Sequence, residues 1–219
     1  DDLKLTASSE HGNTSSQVNW VHNLKTEAIT GTFSLSAMDM VRADESTTVT
    51  DSSSFAERVR EASSLGHRRG LHANARLQWK GEEGRSLLLM PFVVYSENDS
   101  NGRINVRSAA GMSDAAQTQS TSRFSMARLN GQWAQRLSAD DRLELRFGAG
   151  RSNYDYRLEQ TGANQNCSVA RGLLCNGFET QNFVDTSSNL TGKWTRVLDS
   201  GHQIISGLEF EQVRRNEAG

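Results

Sequence analysis

Trp194-Thr195-Arg196-Val197-Leu198-Asp199-Ser200-Gly201-His202-Gln203-Ile204-Ile205-Ser206-Gly207-Leu208-Glu209-Phe210 reads as a strand ending in a tryptophan, a tight turn and a returning strand. The turn is Leu-Asp-Ser-Gly: Asp and Ser bond nearby backbone, and Gly admits the left-handed conformation a reversal needs. The same unit recurs upstream. Gln132-Trp133 precedes Leu137-Ser138-Ala139-Asp140-Asp141, Gln78-Trp79 precedes Gly81-Glu82-Glu83-Gly84, and Asn19-Trp20 precedes Asn23-Leu24-Lys25. All four tryptophans of the chain occupy this place, at spacings of 59, 54 and 61 residues. The unit is a repeated hairpin.

Working outward, apolar residues alternate with polar ones at the period of a strand. Leu3, Leu5 and Ala7 form a first strand, and Gln17 to His22 returns after a turn at Glu10 to Ser15. Ala28 to Met40 follows, then Leu71, Ala73, Ala75, Leu77 and Trp79 in the cleanest alternation of the sequence. Arg85 to Ser96 is apolar on both faces for part of its length, and Pro91 removes one ladder donor from it. Phe124 to Arg136, Arg142 to Tyr156 and the hairpin Ser188 to Val213 complete about nine strands, an all-β antiparallel up-and-down meander. Between them, residues of about 41–70, 97–121 and 160–186 lose the apolar period and read as long loops, with a weak helical signal over Phe55 to Ala62.

Short turns at one end and long loops at the other are the signature of a transmembrane β-barrel. Loops of this length count against a compact soluble domain. Several strands reach the roughly 9–11 residues that cross a bilayer when tilted. Tryptophans at one end of successive hairpins then act as membrane-interface anchors: Trp20, Trp79, Trp133 and Trp194. The competing reading is a soluble β-rich binding or adhesion module, with the same indoles in a sandwich core.

Composition narrows the field. A net charge of −2 supplies no basic face for nucleic acid. Apolar content of 35% is low for a water-soluble core of this length. The longest apolar run, Leu87 to Tyr95, is nine residues and too short for a membrane helix. Cys167 and Cys175 lie in a polar, Asn/Gly-rich segment that lacks metal-ligand spacing. A loop-closing disulfide in an oxidising compartment is the favoured reading, with two free thiols as the alternative.

The series Leu-Gln-Trp79, Leu-Asn-Gly-Gln-Trp133 and Leu-Thr-Gly-Lys-Trp194, each before a short turn, resembles the barrel region of TonB-dependent outer-membrane receptors. Asp2 to Trp20, with its His-Gly-Asn-Thr-Ser-Ser turn, resembles the first barrel hairpin after the plug of such receptors. The resemblance implies that residues 1–219 are an N-terminal part of a 22-stranded barrel in the bacterial outer membrane. The family's plug domain and TonB box are not visible, nor is a terminal strand closing on an aromatic residue. It further implies a receptor and transporter for a scarce small molecule, a ferric siderophore, energised by TonB through the absent plug. A passive porin-type barrel is the alternative within the same architecture.

By parity, Arg76, Gln78, Arg128, Asn130, Gln132, Arg142, Glu144, Arg146, Lys193, Gln203, Glu209 and Glu211 would face the lumen and hydrogen-bond a plug. On a soluble sheet the same residues would form a solvated face. Catalytic chemistry has no foothold. The five histidines are scattered, no phosphate-binding glycine loop is present, and Asp140-Asp141 and Glu82-Glu83 belong to turns. No enzyme activity, metal or cofactor is expected.

Overall fold

β-Strands account for nearly all of the residues that the computed structural model describes, which are 1–10, 12–52, 55–108, 111, 113–163 and 174–218. In chain order they are β1 (Asp2–Glu10), β2 (Asn13–Lys25), β3 (Ile29–Ser52), β4 (Phe55–Lys80), β5 (Ser86–Ser108), β6 (Ser113–Arg136), β7 (Asp141–Gly162), β8 (Gly177–Val197) and β9 (Gln203–Ala218). Each pairs antiparallel with the next, so spatial order is sequence order in one nine-stranded meander. Strands touch only their sequence neighbours, leaving β1 and β9 as edges. Among the described residues there is no helix and no second layer over either face.

The three segments read as long loops are corrected by this arrangement. Residues 41–52 continue β3 and residues 55–70 belong to β4, in unbroken register from Val41↔His67 to Thr50↔Arg58. Residues 97–108 and 113–121 likewise pair as the outer halves of β5 and β6. In the third segment β7 runs to Gly162 and β8 begins at Gly177. The helical signal over Phe55 to Ala62 is also overturned, since these residues open β4. Alternation signals a strand only when one face is apolar; ladder hydrogen bonds form equally well when both faces are polar. Thr47-Thr48-Val49-Thr50 carries the β-propensity that marks the outer half of β3.

Turns at the tryptophan end are local constructions. Ser138 Oγ accepts from the amides of Asp140 (3.2 Å) and Asp141 (3.0 Å), which caps the β6–β7 reversal. Glu83 and Gly84 take positive φ, 56° and 71°, between β4 and β5. Gly201, at φ 81°, donates its amide to Leu198 O at 2.8 Å between β8 and β9. Between β2 and β3 the expected Asn23-Leu24-Lys25 turn is displaced: β2 runs to Lys25, and Thr26 Oγ1 accepts the Ile29 amide at 3.0 Å.

A single sheet has little interior. Ala75, Ile104, Ala116 and Ala134 are its buried apolar residues, and no large side chain is fully buried among the described residues.

Candidate functional site

The register sorts the side chains into two unlike faces. One face carries the rows Leu24–Gly31–Leu77–Leu89–Gly131–Phe147–Leu190–Phe210 and Ile29–Trp79–Leu87–Trp133–Leu145–Gly192–Leu208. Further from the turns it continues through Trp20–Leu35–Ala73–Val93–Ala127 and Val18–Ala37–Leu71–Tyr95. About a dozen of its large side chains stand more than a third exposed, Leu35, Leu71, Val93, Leu129 and Phe210 among them. Completing their burial is worth on the order of 10–20 kcal/mol at 1.5–3 kcal/mol per full side chain. That equals the whole stability of a typical domain, about 5–15 kcal/mol.

The apolar band ends abruptly. Next beyond it is the row Asp39–Arg69–Glu97–Arg123–Asp155, charges of alternating sign on five consecutive strands. Glu97 Oε1 accepts from Arg123 Nε at 2.9 Å and Asp39 Oδ1 meets His67 Nε2 at 2.5 Å. Ten residues separate Trp79 from Arg69 on β4, and ten separate Trp133 from Arg123 on β6.

The tryptophans do not share one row. Trp79 and Trp133 are both opposite Leu87. Trp20 lies level with Ala73, six positions beyond Trp79, whereas Trp194 is opposite Leu143, two positions nearer the turns than Leu145, the partner of Trp133. From Trp20 on β2 to Trp194 on β8 the total slip is eight residues over six strand-to-strand steps, taken as six between β2 and β4, none between β4 and β6, and two between β6 and β8. At 3.3 Å per residue and 4.8 Å between strands, the end-to-end slip from Trp20 to Trp194 corresponds to an inclination of about 40° from the strand normal. The charged edge slips the same way: its first members on β7 and β9, Arg151 and Arg214, lie on the row of Trp20 and Ala73, four positions nearer the turns than Arg69.

The opposite face is polar except along β5, where Leu88, Met90, Phe92 and Val94 lie on it. The register places all twelve residues from Arg76 to Glu211 named above on it, including the row Gln78–Leu88–Gln132–Arg146–Thr191–Glu209. Glu144 is opposite Lys193 and accepts from Arg142 at 2.9 Å, and Arg128 Nε donates to Asn130 Oδ1 at 3.2 Å. Sequence periodicity missed an aromatic shelf on this face. Phe124, Tyr154 and Phe183 are direct cross-strand neighbours on β6, β7 and β8, with the last two rings stacked at 5.0 Å. The Arg215 guanidinium covers Phe183 at 4.7 Å and forks onto Asp185 at 2.7 and 2.8 Å. Burial, with the Glu179 carboxylate adding to it, pushes the nearby Tyr156 phenol upward. The signal was the alternation Phe124, Met126 and Tyr154, Tyr156, which becomes one surface only through the cross-strand register. Such a surface stacks planar groups and hydrogen-bonds anions, and it assembles no nucleophile or metal site among the described residues.

At the far end Cys175 is disulfide-bonded; Cys167, the only other cysteine of the chain, lies outside the described residues, as does His11. The Cys175 segment is tied to its neighbours by backbone. Leu174 N donates to Asp114 Oδ2 at 2.5 Å and Gln160 Nε2 to Cys175 O at 2.8 Å. Asp114 is itself buried.

No family model matches the chain, and no curated protein resembles it in sequence.

Proposed function

We propose that the nine strands are part of the wall of a transmembrane β-barrel, of the 22-stranded TonB-dependent receptor type, in the bacterial outer membrane. One observation carries the reading: the slip of the tryptophans across the sheet. Residues at one membrane depth follow a line inclined to the ladder by the strand tilt, and barrel strands tilt about 35–45°. From the first tryptophan to the last the slip averages to about 40°. With that tilt, the ten-residue interval between Trp79 and Arg69 spans about 25 Å of depth, the height of a barrel's apolar band. In lipid the unpaired groups of β1 and β9 need partners, which further strands of a closed wall supply.

Transport of a scarce ligand is the function this wall fits best. β3 to β6 continue for ten or more residues beyond the charged row, largely polar on both faces, as a tall rim that can hold a ligand above the membrane. The mixed Arg/Glu inner face and the aromatic shelf give hydrogen bonds and stacking to a docked plug or a passing ferric siderophore. Energy would arrive from TonB through the plug.

The test is uptake of radiolabelled ferric siderophores by cells expressing the parent protein, with and without TonB. Uptake that stops without TonB supports the receptor; uptake that continues unchanged identifies a passive porin-type barrel. Protein found wholly in the soluble fraction overturns both.

A further inference from the structure

The apolar face is not uniform: between β3 and β5 it is indented. Pro91 has no amide hydrogen, and the β4–β5 ladder skips Ala75 and Arg76 opposite Pro91 and Met90. The indentation is a groove of about 300 Å³, floored by Ala73 and Ala75 and walled by Phe33, Leu35, Pro91 and Val93, with Trp20 at its flank. On the same strand and face, six residues beyond Ala75, stands Arg69. Six residues along a strand tilted about 40° are roughly 15 Å of depth, one leaflet of a hydrocarbon core about 30 Å thick.

Arg69 is exposed, and its one side-chain bond is to His67 Nδ1 at 3.2 Å. No carboxylate lies within ion-pair distance of it among the described residues. The two carboxylates beside it are engaged elsewhere: Asp39 by His67, and Glu97 by Arg123 and by the Tyr95 hydroxyl at 3.3 Å. A guanidinium with donors to spare therefore stands one leaflet above an apolar slot of single-chain width.

We propose that Arg69 and the Ala73/Ala75 groove form a seat for a phosphate-bearing membrane lipid, the phosphate on the guanidinium and one acyl chain along the groove. The seat rests on the reading of this face as lipid-facing. Guanidinium binds phosphate through charge-assisted hydrogen bonds. The alanines leave the space that Leu71 and Leu77 fill on either side of them along β4.

The protein, with every tryptophan other than Trp20 changed to Phe so that Trp20 reports alone, is reconstituted in vesicles. Each vesicle contains a minor fraction of chain-brominated phosphatidylglycerol or, separately, chain-brominated diacylglycerol, which lacks the phosphate. Phosphatidylglycerol is expected to quench Trp20 at about ten-fold lower mole fraction than diacylglycerol, the effect of one charge-assisted hydrogen bond. Arg69→Gln is expected to abolish that preference and Ala75→Leu to weaken quenching by phosphatidylglycerol. Arg157→Gln, on an arginine that already pairs with Glu159, is expected to change nothing. Equal quenching by both lipids, or equal loss in Arg69→Gln and Arg157→Gln, overturns the seat while leaving the barrel. Absence of quenching by either lipid overturns the lipid-facing reading itself. Should that variant not fold, Val93→Cys carrying a bimane label, with the tryptophans retained, reads the same comparison.

Discussion

An arginine placed at Leu129 gives the sharpest energetic reading of the apolar band. Leu129 is exposed on the apolar face of β6, four residues from Trp133 and six from Arg123. With each residue of a tilted strand worth about 2.5 Å of depth, it lies roughly 10 Å from the tryptophan level, close to mid-band. A lipid-facing arginine costs about 2–4 kcal/mol at the midplane and about 0–1 kcal/mol near an interface. Leu129→Arg is therefore expected to cost about 2–4 kcal/mol, whereas Ser125→Arg, two residues from the charged edge, is expected to cost less than about 1 kcal/mol. Asn130→Arg turns the charge to the polar face and serves as the control; it forfeits the Arg128 Nε bond to Asn130 Oδ1, so a cost of about 0.5–1.5 kcal/mol is expected there. Reversible denaturant unfolding of the parent protein in phospholipid vesicles measures all three. Equal costs at positions 129 and 130, or a larger cost at 125 than at 129, would refute the assignment of this face to lipid.

Three further outcomes follow from particular contacts. The Phe147 ring lies over Gly131, where an added Cβ would come within 2.1 Å of it, so Gly131→Val is expected to destabilise the sheet by about 1–3 kcal/mol in the same unfolding measurement. Phe147→Ala in that background should recover part of the loss; no recovery would mean that the ring is not the obstacle. Cysteines 167 and 175 are expected to resist alkylation until a reductant is added, read by intact mass, and labelling of the untreated protein would contradict the disulfide at Cys175. Asp114→Asn weakens the acceptor of the Leu174 amide, so hydrogen exchange at Leu174 is expected to accelerate while exchange in the inner halves of β6 and β7 stays unchanged.

How far the fold could be read from residues depended on contrast between the two faces. Where one face is apolar, as from Leu71 to Trp79, period-two alternation gave strand, direction and facing together, and the order of all nine strands followed. Beyond the charged row both faces are largely polar, the contrast vanishes, and strand looks like loop. There the sheet is marked instead by opposite charges two residues apart on one face, Arg42 with Asp44 and Arg157 with Glu159. The twelve polar-face residues were legible from parity alone. The slip of the tryptophans was not, because Trp20 and Trp79 look equivalent until cross-strand register shows them six positions apart. The Phe124–Tyr154–Phe183 shelf was hidden for the same reason, being assembled from strands that parity cannot align.

Nitroxide scanning of β6 in bilayers, one label at a time from Arg123 to Trp133, tests the central claim most directly. Labels at 125, 127 and 129 are expected to collide freely with oxygen and to be shielded from a water-soluble nickel reagent, while 124, 126, 128, 130 and 132 show the opposite preference or are shielded from both. Oxygen accessibility at 127 and 129 equal to that at 128 and 130 would contradict the claim.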